Sequence, residues 1–280
     1  MAVPTGTASL LDIQNEFGGS APISLSEYYG AASGVPTSGT ISINDFRGKS
    51  NTVNVTFLLI AGGGGAGSSG GGRPGGGGGA GGVLHGTIAV APGTYSFTIG
   101  AGGAGGGGST GGNSTLTIGS VLTAYGGGLG HYSNDGWFAA PGGSGGSGGG
   151  GGQTSFGGYG GGSATQTSQG GLTGYGNAGG AGTAYSGLGG HGSGGGAGGA
   201  GYNATPGSAV PGGASATLSG YNVAGGGGTF GGNSSTQYGD GGRSAYVEAG
   251  QNGRLIIIGT NTVNKSASGS FTVNSNGSIT

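Results

Sequence analysis

The chain has 280 residues, of which 88 are glycine, and a formal net charge of −1 with only 5% charged residues. The absence of cysteine excludes disulfides, thiolate nucleophiles and cysteine-based zinc sites, and six basic residues are too few for a nucleic-acid interface. The longest apolar runs are too short to span a bilayer, so we expect a protein that is made inside the cell and does not insert into membranes.

The glycine content poses the main structural question. Each ordered glycine costs roughly 0.5–1 kcal/mol relative to alanine, so the glycine runs are either flexible linkers or lie in an arrangement that only glycine can enter. Low charge, 12 Tyr and 8 Phe favour order. Collagen is excluded because the glycines cluster in runs and do not recur at every third position.

The first fifty residues differ in composition and repeat a short motif. Ile23 to Gly30 aligns with Ile41 to Gly48, and a looser copy runs from Ala8 to Gly18. Each copy contains Ser-x-x-Asp/Glu, the capping box of a helix start, and ends in glycine, a usual helix stop. The motif predicts one helix at about 9–17 and single helical turns at about 24–29 and 43–47.

This segment, residues 1–50, is predicted to dock onto another protein, because fifty residues give only a marginal core. The alternative is a small subdomain that folds back on its own chain. The apolar docking candidates are Leu11, Ile13, Phe17, Ile23, Leu25, Tyr28, Tyr29, Ile43 and Phe46.

Alternating apolar residues predict strands on both sides of the glycine-rich centre. The predicted strands are 52–60, 83–90, 94–99, 114–118, 121–125 and 254–258, and 271–273 is either a last strand or part of a tail. Ala91-Pro92-Gly93 is expected to be a hairpin turn between the second and third strands. The run at Leu58 to Ile60 is apolar on both faces, which predicts deep burial there.

The predicted fold is mainly β: a β-sandwich or jelly-roll-like scaffold whose first and last strands are adjacent. Residues 51–262 form this glycine-rich β domain, 126–245 protrude from it as glycine loops, and 263–280 form a C-terminal strand or tail. The glycine tracts are predicted to stack as polyglycine II helices, whose free amides and carbonyls bond across to neighbours. A flexible linker is the alternative, since the tracts lack a strict glycine spacing.

Aromatic residues between the glycine tracts are candidates for receptor contact, because rigid rings with polar tips bind at low entropy cost. The densest cluster is 131–138. The candidates are His131, Tyr132, Asn134, Asp135, Trp137, Phe138, Tyr159, Tyr175, Tyr185, Tyr202 and Tyr221. The alternative is that these rings fill gaps between glycine helices.

Enzyme motifs fail on inspection, so we expect neither catalysis nor a cofactor or metal. The three histidines are far apart in sequence and have few acidic neighbours. Gly-x-Gly-x-x-Gly recurs by chance in such a chain and has no meaning without its strand and helix.

Two stretches carry a resemblance to a known family. Leu11 to Gly19 with Pro22 to Tyr29 resembles a segment of tailed-bacteriophage virion proteins, especially tail-fibre and appendage proteins of marine phages. Phe57 to Ala61 before a glycine run, Gly82 to Tyr95 and Gly253 to Ile258 are similar to a glycine-rich domain of phage fibres.

The resemblance implies a virion structural protein, either a tail fibre or fibre-tip adhesin that contacts the host surface, or a capsid or tail decoration protein without receptor binding. The implied partners are other virion proteins, through the N-terminal segment, and a host surface glycan or outer-membrane protein. A homotrimer is expected by analogy with phage fibres. The implied location is the virion, after synthesis in the host cytoplasm.

Overall fold

The computed structural model describes residues 2–69, 73–131, 140–154, 156–184, 190–229, 237–244 and 248–280. The fold is mainly β, with several antiparallel sheets, one short helix and 3-10 turns in the described part of the chain. Among these residues no helix has the length and apolar character to cross a membrane.

The N-terminal segment contains α1 (Leu10–Phe17) and two 3-10 helices, Leu25–Tyr28 and Ile43–Phe46. The predicted capping boxes are confirmed, because in each unit the acidic side chain accepts a hydrogen bond from the backbone N–H of the serine. The three bonds are Ser9 to Asp12 at 2.8 Å, Ser24 to Glu27 at 3.0 Å and Ser42 to Asp45 at 2.7 Å.

These helices enclose a small core of their own. The Phe46 ring packs edge-on against Tyr28 and Phe17, with centroids 6.1 and 5.9 Å apart. The buried apolar residues of this N-terminal cluster are Val3, Ile13, Tyr28, Val35 and Phe46. The segment therefore folds on itself, and the expectation that all its apolar residues need an outside partner is wrong for the buried ones.

The strands agree with the predicted ones to within one or two residues, and further short strands lie between them. They are β1 (Val53–Ile60), β2 (Ser68–Ser69), β3 (Arg73–Pro74), β4 (Val83–Val90), β5 (Gly93–Thr98), β6 (Ser114–Ile118), β7 (Ser120–Ala124), β8 (Thr173–Tyr175), β9 (Ala216–Leu218), β10 (Tyr221–Val223), β11 (Arg254–Ile258), β12 (Thr262–Lys265) and β13 (Gly269–Val273).

Two larger sheets form the scaffold, in the orders β12-β11-β1-β4-β8 and β13-β5-β6-β7. β1 pairs with β11, with Leu58 opposite Ile256, so the predicted adjacency of these strands is confirmed. β4 and β5 do not form the predicted hairpin, since they belong to different sheets. Apolar residues of both strands face one core, which places them on its opposite sides.

This main core lies between the two sheets. Phe57 of β1, Phe97 of β5 and Phe271 of β13 are buried there, and the Phe57 and Phe271 ring centroids are 6.0 Å apart. The opposite face of β1 is buried as well, because Leu58 and Ile60 belong to a second cluster that includes Ala80 and Ala224. The predicted double-sided burial of β1 is confirmed.

Beyond Ile60 the chain continues as residues 61–67, whose backbone N–H groups bond to three different neighbouring segments in a repeat of three. The bonds to 75–82 are Ala61 to Gly82, Gly64 to Gly79 and Gly67 to Gly76; those to 109–112 are Gly62 to Gly112 and Gly65 to Ser109; those to 248–251 are Gly63 to Gln251 and Ala66 to Glu248.

The carbonyl groups of 61–67 face other neighbours with the same repeat. Those of Gly62 and Gly65 accept from Gly127 and Gly130, those of Gly63 and Ala66 accept from Gly103 and Gly106, and that of Gly64 accepts from Gly242. Tract 75–82 is surrounded in the same way, with bonds to residues of 61–67, 125–131, 147–150, 192–195, 227 and 239–242. Both tracts thus lie inside a bundle that is held by backbone hydrogen bonds.

We call this bundle the glycine stack. Its tracts are residues 61–67, 75–82, 100–112, 125–131, 142–152, 176–182, 190–196, 225–228 and 239–242. The expectation that 126–245 protrudes as loops is wrong for its tracts, because they surround 61–67 and 75–82 and much of their length is buried. Strands β8, β9 and β10 also lie in this region and were not predicted, since three residues are too short for a periodic signal.

In the central tracts 61–67 and 75–82, close approach, and not unusual backbone angles, is what requires glycine. A Cβ atom on Gly64 would lie 2.1 Å from the carbonyl oxygen of Gly128, and one on Gly78 would lie 2.1 Å from that of Gly64. Neither residue has a φ in the left-handed region. The absent side chains leave the space in which neighbouring backbones form their hydrogen bonds.

We expect Gly64→Ala to lower the free energy of unfolding by about 3 kcal/mol or more, because the methyl group has no space and the surrounding backbone cannot yield without losing hydrogen bonds. Gly160→Ala is the matched control, since a Cβ there meets nothing within 4 Å, and its effect should stay within about 1 kcal/mol. Urea unfolding measures both. Equal stability of the two variants would contradict a close-packed stack.

Candidate functional site: the distal end of the glycine stack

The hydrogen-bond register defines two ends of the glycine stack. Tract 61–67 begins where β1 ends, so Ala61 and its partner Gly82 lie next to the sheets, and Gly67 and its partner Gly76 lie farthest along the tract. We call the level of Gly67 the distal end.

Other tracts reach the same level. The N–H of Gly76 donates to the carbonyl of His131, and the N–H of His131 donates to Gly150, both at 3.0 Å. Next to this pair, the N–H of Gly192 donates to Gly151 at 2.9 Å. Turns and loops that follow these residues therefore start from one common face.

Two predicted contact residues lie at this end and are exposed. The N–H of Tyr159 donates to Gly152 at 2.9 Å, and the carbonyl of Tyr202 accepts from Ser193 at 3.1 Å. Their exposed fractions are 42% and 53%, and Phe156, in the turn just before Tyr159, is 85% exposed. The backbone is fixed here while the rings face solvent, which is the arrangement a contact surface needs.

Tyr175 and Tyr221 lie elsewhere. Tyr175 belongs to β8 and Tyr221 to β10, and both pack partly buried against the second apolar cluster beside the five-stranded sheet. The Tyr175 ring also lies near His85, with centroids 6.4 Å apart. These two residues therefore lie on strands, away from the distal end.

His131 is 1% exposed, so the expectation that its side chain meets a receptor directly is wrong. The ring is buried between tract ends because Gly152 leaves room for it: a Cβ there would lie 2.1 Å from His131 Cδ2. The remaining candidates lie outside the described residues and stay predictions. They are Tyr132, Asn134, Asp135, Trp137, Phe138 and Tyr185.

His131 and His191 form a stacked pair that sequence reasoning missed. Their ring centroids are 6.2 Å apart with an interplanar angle of 20°. The N–H of Ala140 donates to His131 Nδ1 at 2.9 Å. Burial lowers the pKa of both imidazoles to about 4, so both are neutral at pH 7. The available signal was that each of these histidines directly follows a glycine in a glycine-rich stretch.

In the described part of the chain no three His, Asp or Glu side chains lie close enough to share a metal ion. The charged side chains Arg243 and Glu248, next to the distal end, pair with each other, with Arg243 Nε donating to Glu248 Oε2 at 2.9 Å. The described distal face thus offers flat rings and amides.

The N-terminal segment lies at the other end of β1. The backbone N–H of Asn51, just before β1, donates to Glu16 at 2.9 Å. A pocket of ≈ 240 Å³ separates the segment from the C-terminal region, lined by Phe17, Tyr28 and Ser275 among others. Between the segment and the distal end, the chain runs through the whole of β1 and of tract 61–67.

The docking candidates divide by exposure. Ile13, Tyr28 and Phe46 are buried in the N-terminal cluster, and Phe17, Ile23, Leu25 and Ile43 are half-buried. Leu11 and Tyr29 are exposed, at 59% and 36%. These two side chains are the ones available to a partner.

Comparison of the chain with protein-family models, with curated protein sequences and with solved structures finds no match.

We expect the double variant Tyr159→Ala/Tyr202→Ala to keep the stability of the parent chain within about 0.5 kcal/mol, because both rings are exposed. Phe57→Ala, which empties a buried position, should cost about 3–5 kcal/mol. Denaturant unfolding checks both. A large loss of stability in the tyrosine variant would show that these rings hold the stack together.

Proposed function

We propose that this chain is a structural protein of a tailed-bacteriophage virion, a tail fibre or fibre-tip adhesin that contacts the host surface. The N-terminal segment attaches the protein to the particle, and the distal end of the glycine stack faces the host. The observation that carries the proposal is that the N-terminal segment contacts the start of β1 while the contact face lies at the end of tract 61–67, and we call this continuous run of backbone the rod. The resemblance of residues 11–29 to virion proteins supports the direction of attachment.

In this proposal the two larger sheets form a β-sandwich and the stack is a polyglycine II bundle. The repeat of three in the hydrogen bonds of 61–67 supports that assignment, because polyglycine II has three residues per turn and its backbone groups point outward. A β-sandwich is supported by the phenylalanine core that lies between the two sheets.

The rod is long enough to act as a spacer. β1 spans about 26 Å at roughly 3.3 Å per residue, and tract 61–67 adds about 22 Å at roughly 3.1 Å per residue. A flexible glycine linker of equal length would let the contact face wander. A hydrogen-bonded bundle holds that face at a fixed distance from the attachment segment.

The contact face suits a weak, repeated interaction. Exposed rings at Tyr159, Tyr202 and Phe156 pack on flat apolar patches such as sugar faces, and the nearby charged pair is internally neutralised. Several copies on one particle multiply the affinity without new contacts. The proposed partner is a host surface glycan or an outer-membrane protein. We expect the protein to form a trimer by analogy with phage fibres.

The adsorption test uses labelled full-length protein and the bacterial strain in which the encoding phage grows. Tyr159→Ala/Tyr202→Ala should weaken adsorption at least tenfold, since each stacked ring contributes on the order of 1 kcal/mol. Tyr125→Ala is the control, because Tyr125 is 37% exposed but lies next to the sheets, where Gly82 donates to its carbonyl.

Equal adsorption by all three proteins would remove these two rings from the contact face. Trp137→Ala with Tyr132→Ala then tests the predicted recognition cluster. A parent chain that sits on the virion surface but never adsorbs to cells would instead be a decoration protein.

The attachment test concerns Leu11. We expect Leu11→Glu to reduce incorporation of the protein into particles at least tenfold, because a charge replaces the exposed apolar contact. Glutamate in the first turn of α1 suits the helix dipole, so the segment should still fold. Val121→Glu is the control at an equally exposed apolar position, 60% exposed on β7. Quantitative immunoblots of purified virions measure the outcome, and normal incorporation of Leu11→Glu would argue against attachment through α1.

A further inference from the structure

Two histidines that are distant in sequence join neighbouring tract ends. His131 is the last residue of tract 125–131, and His191 lies near the start of tract 190–196; their side chains are 1% and 3% exposed. The rings stack on each other at the distal end. A buried pair of titratable groups is conspicuous in a chain with so few ionisable side chains.

The hydrogen bond at His131 depends on its protonation state. Ala140 N–H donates to Nδ1, so Nδ1 carries a lone pair and the proton of the neutral ring is assigned to Nε2. A proton added at Nδ1 would point at the N–H of Ala140, so that two donors would face each other and this hydrogen bond would break. The bond links the backbone of Ala140 to the side chain of His131, and this link needs an unprotonated Nδ1.

No acidic side chain of the described residues contributes to the pKa of either ring; burial lowers both pKa values, and the backbone of Ala140 offsets this only in part at His131. The described segments against the pair are 75–77 and 149–152, which consist of glycine, together with Ala140 and the neutral amide of Gln153. The phenol of Tyr159, whose backbone bonds to Gly152, is exposed, and Arg243 and Glu248 pair with each other. Within the described residues, His131 Nε2 and His191 Nδ1 have no hydrogen-bond partner. Asp135 lies outside the described residues.

We propose that the stacked His131–His191 pair is an acid-sensitive latch, which holds the distal tract ends together while both rings are neutral and releases them when the rings are protonated. Two cations would then lie within 6.2 Å of each other, among backbone groups that are already paired. The stack next to the sheets contains no such pair among its described residues, so the release is confined to the distal end.

The direction of the pH effect follows from the shifted pKa values. Above about pH 6.5 the rings are neutral in the closed and opened forms alike, so pH has no effect. As pH falls toward 4, the opened form binds protons while the closed form, with both pKa values lowered to about 4 by burial, does not. The opening equilibrium constant therefore rises up to about tenfold per pH unit for each histidine, or about 100-fold for the pair.

Hydrogen exchange of the full chain tests the latch. Deuterium uptake is measured at pH 6.5, 5.5 and 4.5, with correction for the intrinsic exchange rates. Protection in peptides covering 140–152 and 190–196 should fall more than tenfold across this range, whereas protection of 53–60 in β1 should not change. His85→Asn is the matched control, because His85 is partly exposed on β4, beside Ser219, and the variant should behave like the parent.

The double variant His131→Phe/His191→Phe should lose the pH dependence in those peptides. If it does not fold, an NMR titration of the parent decides, with the His85 signal assigned through His85→Asn: the other two imidazoles should titrate near pH 4. Titration of all three near 6.5, or pH-independent protection of 140–152 and 190–196, would overturn the proposal.

Discussion

The structure depends on the absence of a side chain where two backbones meet. Between tracts of the glycine stack, the place of a Cβ atom is occupied by the carbonyl oxygen of a neighbour, as at Gly64 and Gly128. This approach lets each central tract bond to neighbours on all sides. The entropy that glycine loses on folding is offset by a nearly complete set of backbone hydrogen bonds, each worth about 1 kcal/mol net. Order in such a stack is therefore cooperative, because a single tract has no partners of its own.

The β scaffold supplies what the stack lacks, namely a conventional apolar core and a fixed starting point. β1 is buried on both faces and continues directly into tract 61–67, so the direction of the stack is set by the direction of the strand. The second face of β1 packs on alanines such as Ala80, in tract 75–82, and Ala224, just before tract 225–228. At these positions there is room for a methyl group, whereas at Gly64 and Gly78 there is none.

Local signals in the sequence were sufficient for the N-terminal helices and most strands. Ser-x-x-Asp/Glu identified the three helix starts because a capping box is made by residues close in sequence. Contacts between residues distant in sequence were not predictable. Ala91-Pro92-Gly93 has the composition of a hairpin turn, yet β4 and β5 belong to different sheets, and the apolar residues of both strands face the same core. His131 and His191 meet because of the register of intervening tracts, and nothing in the residues themselves encodes that register. The sequence did not distinguish these tyrosines as candidates for receptor contact. The arrangement of the tracts in the structure places Tyr159 and Tyr202 at the distal end and Tyr175 and Tyr221 beside the sheet.

An interior made of peptide groups also has a thermal consequence. The heat-capacity change of unfolding rises with newly hydrated apolar area and falls with newly hydrated polar area. Unfolding the stack hydrates mostly amides and carbonyls, so this chain gains less heat capacity per residue than an ordinary domain of its length. Its stability curve is correspondingly broad and shallow, and loss of structure on cooling is shifted to lower temperature.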